Sequence, residues 1–376
     1  MTEPSHDSQF RTRNSLHLLV IGAGAIGCLV GGKLAQGGVA VTLAGRQRFV
    51  DAVTANGLRL SSGGVTQRID NIDPAASLGE AFQHAVESNR PFDAAILTVK
   101  SYDTAAALDE VKAAAANAGL PVPPVLSLQN GVGNEEAIAA AFGPKHTIAG
   151  TITAPVEVPE TGVVRLTKPH WMIGLSPWDR QQPAPIFDIL RGQLLAAGIP
   201  VTLYADARSM KWTKLMMNQI GNATSAILAQ APAVTFAQPA IANLEIAALR
   251  ETLAVMAGLG IQPVNVEKYP LGTLAPLLRY GPRWLLRPVL RKIVSGARGG
   301  KMPSLFLDLD AGKTQNEVLW YNGAVARAGE GIDIPVPVNR FLCETVLRLA
   351  AHPDERENWR GNVAKLTQTV KEGGRG

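Results

Sequence analysis

Hydrophobic runs and amphipathic stretches alternate along the first half of the chain. Short apolar runs bounded by glycine are typical of strands buried on both faces of a parallel sheet. On this basis we predict strands at 16–21, 39–43, 94–99 and 125–128, and helices at 25–36, 104–117 and 134–141. This alternation indicates an α/β fold, a Rossmann-type doubly wound sheet.

The pattern changes in the second half of the chain. Short strand-like runs separated by Pro and Gly, at 147–152, 163–166 and 171–175, suit an antiparallel extension of the sheet. Beyond them strand signals fade, and the predicted helices are 208–229, 239–258, 314–329, 337–351 and 355–371. We therefore predict three parts, which are a flexible tail at 1–15, a Rossmann domain at 16–205 and an all-helical C-terminal domain at 206–376.

Charge is concentrated in one part of the helical half. The formal net charge is +5, yet the stretch between Glu267 and Asp308 holds eight basic residues and no acidic one. Within it we define a basic insert, 276–301, whose three prolines are expected to break any helix into short pieces. Three roles fit this insert: a solvated lid packed on its own domain, a surface for anionic lipid or a partner subunit, and a gate that attracts an acidic substrate.

The remaining composition excludes several classes of protein. The two cysteines, Cys28 and Cys343, are far apart, which argues against a disulfide framework and a cysteine metal site. No His or carboxylate spacing indicates a metal. The polar start of the chain lacks the features of a secretory signal, and the apolar run 18–32 is too short for a membrane span. We expect a cytoplasmic protein with a small-molecule ligand, no nucleic-acid partner and no stable membrane association. A homodimer is compatible with the sequence.

A glycine-rich turn follows the first predicted strand and opens the first predicted helix. Its sequence is Gly22-Ala23-Gly24-Ala25-Ile26-Gly27, which is the GxGxxG spacing of dinucleotide-binding turns. The first glycine permits the tight turn, Gly24 lets the backbone approach a pyrophosphate, and Gly27 permits close helix–strand packing. Gly22, Gly24, Ala25, Ile26 and Gly27 are therefore candidate cofactor-binding residues. The alternative is a glycine-rich corner without a ligand.

The end of the second strand distinguishes between the two nicotinamide cofactors. NAD enzymes usually carry an acidic residue there, to hold the ribose 2′-hydroxyl. Here the sequence is Leu43-Ala44-Gly45-Arg46-Gln47-Arg48, without an acid. A guanidinium can bind a 2′-phosphate through two hydrogen bonds, so Arg46 favours NADP. Arg48 fits a solvated surface residue equally well.

Three polar residues recur at helical spacing where the helical half begins. Lys214, Asn218 and Asn222 are four residues apart, which predicts that they stack on one face of the helix 208–229. Burying a cation and two amides is costly unless they have partners, so a functional role is favoured. The alternative is a stripe that faces water.

The order of these motifs resembles that of the ketopantoate reductase family, from about residue 16 to 350. K-L-x-x-N-x-x-x-N begins at Lys214 and follows the glycine turn, as in that family. Further matches to family motifs, in the same order, are Lys100, Gln129-Asn130-Gly131, Pro303-Ser304-Leu305 with Asp308 and Gly312, and Glu317 with Asn322-Gly323.

The resemblance implies an NADPH-dependent reduction of a 2-keto acid to a 2-hydroxy acid. In that family 2-dehydropantoate is reduced to pantoate, a step of pantothenate biosynthesis. The resemblance assigns catalysis to Lys214, as general acid, and to Glu317, which would hold the lysine in position. It implies that Asn218, Asn222 and Ser304 bind the substrate, Ser304 through its carboxylate, and that Lys100 and Asn130 lie beside the cofactor. A lysine in a partly dry cleft releases a proton more readily, which suits this chemistry.

Three departures from the family pattern leave alternatives open. Counted from Gly312, the family glutamate falls on Asn316, whereas counted from Asn322 it falls on Glu317. Leu319 stands where the family has an aspartate, and the basic insert is absent from the short forms of the family.

These departures keep other functions open. One is a paralogous NADP-dependent reductase acting on a different, larger or more apolar keto acid. Another is a regulator that binds NADP without turnover. Opine-type and 6-phosphogluconate-type dehydrogenases share the two-domain plan, but the Q-N-G and K-x-x-x-N-x-x-x-N motifs favour the ketopantoate reductase pattern over both. A lactate-type mechanism is disfavoured, because no histidine lies in the Lys214 helix or near 304–317, and His170 is the one histidine left as a candidate acid.

Overall fold

The computed structural model describes residues 16–267, 269–297 and 301–373. The tail predicted at 1–15 lies outside the described residues. The chain divides into two compact units, within each of which the Cα atoms lie close together. Of the described residues, unit 1 comprises those from 16 to 130 and from 134 to 207, and unit 2 comprises those from 131 to 133 and from 208 to 373.

Unit 1 has a central sheet of eight strands, which confirms the α/β Rossmann-type fold class. In spatial order the strands are β12 (Val201–Leu203), β11 (Met172–Pro177), β8 (Thr147–Thr153), β7 (Val125–Ser127), β6 (Ala94–Leu97), β1 (His17–Ile21), β2 (Ala40–Ala44) and β5 (Ile72–Ala75). Neighbouring strands are parallel except for the antiparallel pair β8 and β11. The helices of this unit are α1 (Ala25–Gln36), α2 (Gln47–Asn56), α3 (Leu78–Glu87), α4 (Thr104–Ala118), α5 (Asn134–Phe142) and α6 (Phe187–Ala196), with 3₁₀ turns at Ser101–Asp103 and Pro144–His146.

The central strand β1 shows why an uninterrupted apolar run predicts a parallel sheet. All five of its residues are buried. Leu18 and Val20 belong to one hydrophobic cluster, whereas Leu19 and Ile21 belong to another. Alternate side chains point to opposite faces of a strand, and both faces of this sheet are covered, so every position is apolar.

A second, smaller sheet in unit 1 is only partly predicted by the sequence. Its spatial order is β4 (Val65–Ile69), β3 (Leu58–Ser62), β10 (Val163–Leu166) and β9 (Val156–Glu160). The antiparallel extension is correct for β8 and β11, but it is wrong for 163–166, because β10 pairs with β3 and β9 instead. Four of the five residues of β4 are exposed, so the strand carries no apolar signal in the sequence.

Unit 2 is built from helices throughout its described part, as predicted. They are α7 (Ala207–Gln219), α8 (Ala223–Leu228), α9 (Pro232–Thr235), α10 (Pro239–Gly258), α11 (Leu271–Tyr280), α12 (Arg283–Ala297), α13 (Ser304–Asp310), α14 (Asn322–Glu330), α15 (Pro337–Ala351) and α16 (Val363–Gly373). Two 3₁₀ turns lie at Glu317–Trp320 and Pro353–Asn358. None of the described helices combines the length and the apolar character needed to cross a membrane.

Three predicted helices of unit 2 are shorter or more divided than expected. The stretch 208–229 is two helices, because Gly221 has a φ of +64° and cannot continue α7. The stretch 314–329 begins with a 3₁₀ turn at Glu317–Trp320, and Tyr321 separates this turn from α14. The stretch 355–371 likewise divides into a 3₁₀ turn and α16.

The prolines of the basic insert do not fragment it as predicted. Only Pro282 separates α11 from α12, whereas Pro276 and Pro288 lie inside those helices. A proline removes one N–H donor and leaves a carbonyl of the preceding turn without its helical partner. Both internal prolines are exposed, so water can serve that carbonyl. The insert packs as an integral part of unit 2, since Leu286, Leu290 and Val294 belong to its core.

Candidate active site

The glycine turn of unit 1 has the shape that its sequence predicts. Gly22 has a φ of +107°, a conformation that side chains rarely adopt, and its N–H donates to the Ala44 carbonyl at 3.1 Å. Gly27 lies against the turn, because a Cβ atom there would stand 2.0 Å from the Gly22 carbonyl oxygen. The Thr98 hydroxyl donates to the Gly22 carbonyl at 2.8 Å and fixes the turn on the end of β6. The first and third glycines are therefore needed by the fold itself.

Gly24 has a different environment from the other two glycines. It is exposed, and a Cβ atom there would meet nothing within 4 Å. It precedes α1, and neither a side-chain cap nor an acidic residue occupies the first turn at Ala25 and Ile26. The turn thus presents open backbone and a helix N-terminus, which is the arrangement that fits a pyrophosphate.

Arg46 follows β2 and is held near the glycine turn by a close backbone approach. A Cβ atom on Gly45 would lie 2.5 Å from the Cβ of Ala23, so these two segments touch. Arg46 is the residue before α2, and its carbonyl accepts from the Phe49 N–H at 2.7 Å. Its side chain is exposed, as is that of Arg48. Sequence reasoning did not single out Gly45, which brings Arg46 beside the turn.

A buried hydrogen-bond network holds the segments of Lys100 and Asn130 together. The Asn130 carbonyl accepts from the Ser101 hydroxyl at 2.8 Å and from the Asn134 amide at 3.0 Å. The Thr104 hydroxyl donates to the Asn134 side-chain oxygen at 2.9 Å. The Gln129 amide donates to the Val99 carbonyl at 3.0 Å and to Thr104 at 2.8 Å. Half-buried Lys100 lies between Val99 and Ser101 in this frame. The roles of Thr104 and Asn134 were missed, because their partners are distant in sequence.

Lys214 lies on α7 of unit 2 and is only 4% exposed. Its neighbours Leu215 and Met216 belong to the hydrophobic core of this unit. The adjacent Thr213 hydroxyl donates to the Ser209 carbonyl at 2.7 Å and accepts from the Val264 N–H at 3.0 Å, which anchors the helix. The alternative of a stripe facing water is wrong for Lys214 and for Asn222, which is 3% exposed. Asn218 is half-buried.

The three polar residues do not stack along one continuous helix. Lys214 and Asn218 belong to α7, but Asn222 follows the Gly221 break and precedes α8. The Asn222 amide turns back and donates to the Asn218 carbonyl at 3.1 Å. The prediction of a single i, i+4, i+8 face is therefore wrong at its last residue, which instead connects the helix end to a different segment.

Asn222 and Asn316 hold the backbone of Leu305 from both sides. The Leu305 N–H donates to the Asn222 side-chain oxygen at 3.3 Å, and the Leu305 carbonyl accepts from the Asn316 amide at 3.3 Å. Half-buried Ser304, the first residue of α13, is thereby fixed next to Asn222. The Asn316 oxygen also accepts from the Val318 N–H at 3.0 Å, so both ends of its amide are engaged. Glu317, the first residue of the 3₁₀ turn, is 3% exposed.

One buried carboxylate beside these residues escaped the sequence analysis. Glu245 on α10 is 3% exposed and accepts from the Gly221 N–H at 3.1 Å and from the Thr224 hydroxyl at 2.5 Å. It thus binds the chain at the break between Asn218 and Asn222. Nothing in the local sequence of α10 distinguishes this glutamate, which lies 24 residues after its partner.

The two thiols have no reactive environment. Burial raises the pKa of Cys28 to about 12 and that of Cys343 to about 11. Thiols that remain protonated are poor nucleophiles and poor metal ligands. Within the described ranges, no group of three His, Cys, Asp or Glu side chains is placed to hold a metal ion.

The doubly wound sheet of unit 1 and its glycine turn are those of dinucleotide-binding proteins. A family profile described as ketopantoate reductase PanE/ApbA matches residues 18–178, and its C-terminal counterpart matches residues 206–350. The chain belongs to the ketopantoate reductase family.

Curated relatives support this assignment. The chain is 35% identical over 214 residues to a 2-dehydropantoate 2-reductase of Pyrococcus horikoshii, a match that covers 57% of this chain and 64% of the relative. The matched part is thus slightly less than two thirds of that protein. A 2-dehydropantoate 2-reductase of Halobacterium salinarum is 29% identical over 342 residues, covering 89% of this chain and 99% of the relative.

Solved structures share the fold. A PanE/ApbA family ketopantoate reductase from Ralstonia eutropha JMP134 superimposes with a TM-score of 0.73 at 26% identity, over 91% of this chain and 100% of the other. A D-mandelate dehydrogenase solved with NADH and anilino(oxo)acetate has a TM-score of 0.72 at 20% identity, over 90% and 99% of the two chains. The second similarity shows the fold alone.

Proposed function

We propose that this protein catalyses the NADPH-dependent reduction of a 2-keto acid to a 2-hydroxy acid, with 2-dehydropantoate as substrate and pantoate as product. The observation that carries the proposal is Lys214, a lysine that is 4% exposed on α7 at the position of the family's general acid. Burying an ammonium group is unfavourable, and a role in proton transfer explains why a lysine lies there.

The glycine turn would hold the cofactor. Gly24 leaves room for the pyrophosphate, and the N–H groups of Ala25, Ile26 and Gly27 at the start of α1 would face its negative charge. Arg46 would bind the ribose 2′-phosphate, while Lys100 and Asn130 would border the nicotinamide half. The bound cofactor supplies the hydride for the carbonyl carbon of the substrate.

Lys214 would supply the proton. As the carbonyl carbon gains a hydride, the C=O π electrons move onto oxygen, and the Lys214 ammonium donates a proton to that oxygen. The lysine is left as a neutral amine and regains its proton from water. Glu317, 3% exposed, would orient Lys214 and stabilise its charged form before the transfer.

Three further side chains would orient the keto acid. Asn218 and the Ser304 hydroxyl would donate hydrogen bonds to the substrate, Ser304 to its carboxylate. Asn222 would hold these two donors at a fixed distance from each other, because its amide contacts the Asn218 carbonyl and the Leu305 N–H. Such positioning lowers the entropic cost of reaching the transition state.

A second candidate is reduction of a larger or more apolar keto acid. Leu319 stands where the family has an aspartate, and its half-buried side chain packs against the hydrophobic cluster of α8, α10 and α15. Replacing a carboxylate by an apolar side chain would favour an apolar substituent on the substrate.

The proposal is tested by following NADPH oxidation with a panel of 2-keto acids that runs from 2-dehydropantoate to aromatic members. The highest kcat/KM with 2-dehydropantoate supports the leading candidate, and the highest value with an aromatic acid supports the second. Binding of NADPH without turnover of any acid would overturn both and leave a regulator. The Lys214→Ala variant shows whether a measured turnover belongs to this site.

A further inference from the structure

The helices α11 and α12 of the basic insert present a surface that the proposed reaction does not use. Tyr280 is 76% exposed and Trp284 is 72% exposed, which are the largest exposed fractions among the large hydrophobic side chains of the described residues. Arg279, Arg283, Arg291 and Lys292 are exposed around them. We call these six residues the basic aromatic patch.

Helical spacing explains how α12 is both anchored and exposed. Leu286, Leu290 and Val294 recur every four residues and are at most 2% exposed, so this face is fixed in the core. Trp284 precedes Arg291 by seven residues and Lys292 by eight, about two helical turns, so these side chains lie on the side of α12 away from its core face. The patch is thus a rigid surface on a packed helix.

The next feature of the patch is the charge of its cations within the part of the chain that the structure describes. Among the described residues, no acidic side chain pairs with Arg283, Arg291 or Lys292. The Arg279 guanidinium lies 5.5 Å from the centre of the Tyr280 ring, a cation–π contact. Along the sequence, no acidic residue occurs between Glu267 and Asp308. With respect to the described residues, the patch therefore carries an uncompensated positive charge around two exposed aromatic rings.

We propose that the basic aromatic patch docks reversibly on an anionic lipid bilayer. Tyr and Trp rings partition to the headgroup level of a membrane, and Arg and Lys bind anionic headgroups. A second copy of the chain would bring the same positive charges face to face, so self-association through this patch is disfavoured. Protein interfaces are also rich in Tyr, Trp and Arg, so binding to an acidic protein is the alternative that the test below separates from binding to lipid. A patch of this size gives weak, reversible binding rather than a permanent anchor.

The test is a sedimentation assay of the full chain with phosphatidylcholine vesicles, prepared with and without phosphatidylserine. We expect binding only to the vesicles with phosphatidylserine, and we expect added salt to reverse it. Each basic residue near an anionic surface contributes about fivefold to the partition coefficient, so Arg291→Glu with Lys292→Glu should lower it by at least about tenfold. Trp284→Ala should also weaken binding.

The matched control reverses the same amount of charge elsewhere. Lys112 and Lys145 are exposed lysines of unit 1, and Lys112→Glu with Lys145→Glu should change the partition coefficient by less than about twofold. An unchanged thermal unfolding midpoint for each variant shows that folding is intact. Equal binding to neutral and anionic vesicles, equal losses in the two double variants, or preferential binding to an acidic polypeptide or a nucleic acid over the vesicles would each overturn the proposal.

Discussion

The backbone N–H of Gly221 donates to the buried carboxylate of Glu245 over 3.1 Å, at the point where α7 ends. Gly221 lies between Asn218, which is proposed to bind the substrate, and Asn222, which holds the Asn218 carbonyl and the Leu305 N–H, so Glu245 fixes the chain between these two residues. Removing the carboxylate would leave the N–H and the Thr224 hydroxyl without their acceptor.

Glu245→Ala is therefore expected to raise KM for the keto acid by about tenfold or more and to lower kcat, because a small misplacement of the substrate slows its reaction. Cofactor affinity should not change. Glu251→Gln is the control, since Glu251 lies on the same helix and binds Val338 and Asn339 instead. Steady-state kinetics and NADPH titration of both variants check this prediction. An equal KM in wild type and Glu245→Ala would contradict the positioning role.

Gly24 and Gly27 are expected to respond differently to an added side chain. Gly24→Val should fold normally, because nothing lies within 4 Å of its Cβ position. It should nevertheless weaken NADPH binding by about 100-fold, because its side chain would fill the space proposed for the pyrophosphate. Gly27→Ala should destabilise the protein itself by about 1–3 kcal/mol or more, since its Cβ would stand 2.0 Å from the Gly22 carbonyl oxygen. Denaturant unfolding and NADPH titration separate the two effects. Equal loss of stability in both variants would contradict the assignment of Gly24.

Arg46→Ala should weaken NADPH by about 10- to 100-fold and leave NADH affinity nearly unchanged, because a charge-assisted pair with the 2′-phosphate is lost. Arg48→Ala is the matched control, as both side chains are exposed at the start of α2. Fluorescence titration with each cofactor measures the four affinities. If Arg46→Ala weakens NADH as much as NADPH, the preference for NADP lies elsewhere.

Glu251 gives the unfolding free energy a defined dependence on pH. Burial raises the pKa of its carboxyl above the ordinary value of 4.5, although hydrogen bonds from Asn339 and Val338 lower it in part. The carboxyl is more readily ionised in the unfolded chain. The favourable contribution of the Glu251 carboxyl to the free energy of unfolding is therefore present below pH 4.5 and is lost as the pH rises through the folded-state pKa.

The difference in unfolding free energy between wild type and Glu251→Gln should accordingly decrease as the pH rises above 4.5. Denaturant titrations across this range check the sign. A difference that increases with pH would show that the folded state favours the ionised carboxylate.

The parts of the fold that could be predicted from the sequence are those with a local cause. The glycine turn and α1 follow from spacing within six residues, and β1 from its continuous apolar run. The polar strand β4 could not be predicted, because its pairing with β3 leaves it mostly exposed. The division of 208–229 depends on Gly221 and on Glu245, and a helical pattern alone does not reveal such a distant partner.

In the candidate site, too, only features with a local sequence signal could be predicted. Lys214, Asn218 and Ser304 were chosen from motifs, and the buried position of Lys214 fits its selection. The clamp on Leu305 by Asn222 and Asn316 could not be predicted, because it joins segments more than 80 residues apart on one side. The Asn316 amide is used by that clamp and by the Val318 N–H, and the assignment of the family glutamate to Glu317 stays a prediction.

Single-turnover reduction of 2-dehydropantoate by NADPH in the Lys214→Ala variant tests most directly whether Lys214 donates the proton. Lys211 provides the control, because it lies one turn earlier on α7 and is similarly buried, at 3% exposure. We predict that Lys214→Ala slows the chemical step by about 100- to 10,000-fold with NADPH affinity unchanged, and that Lys211→Ala does not. A Lys214→Ala rate within about tenfold of wild type, or an equal loss in Lys211→Ala, would contradict it.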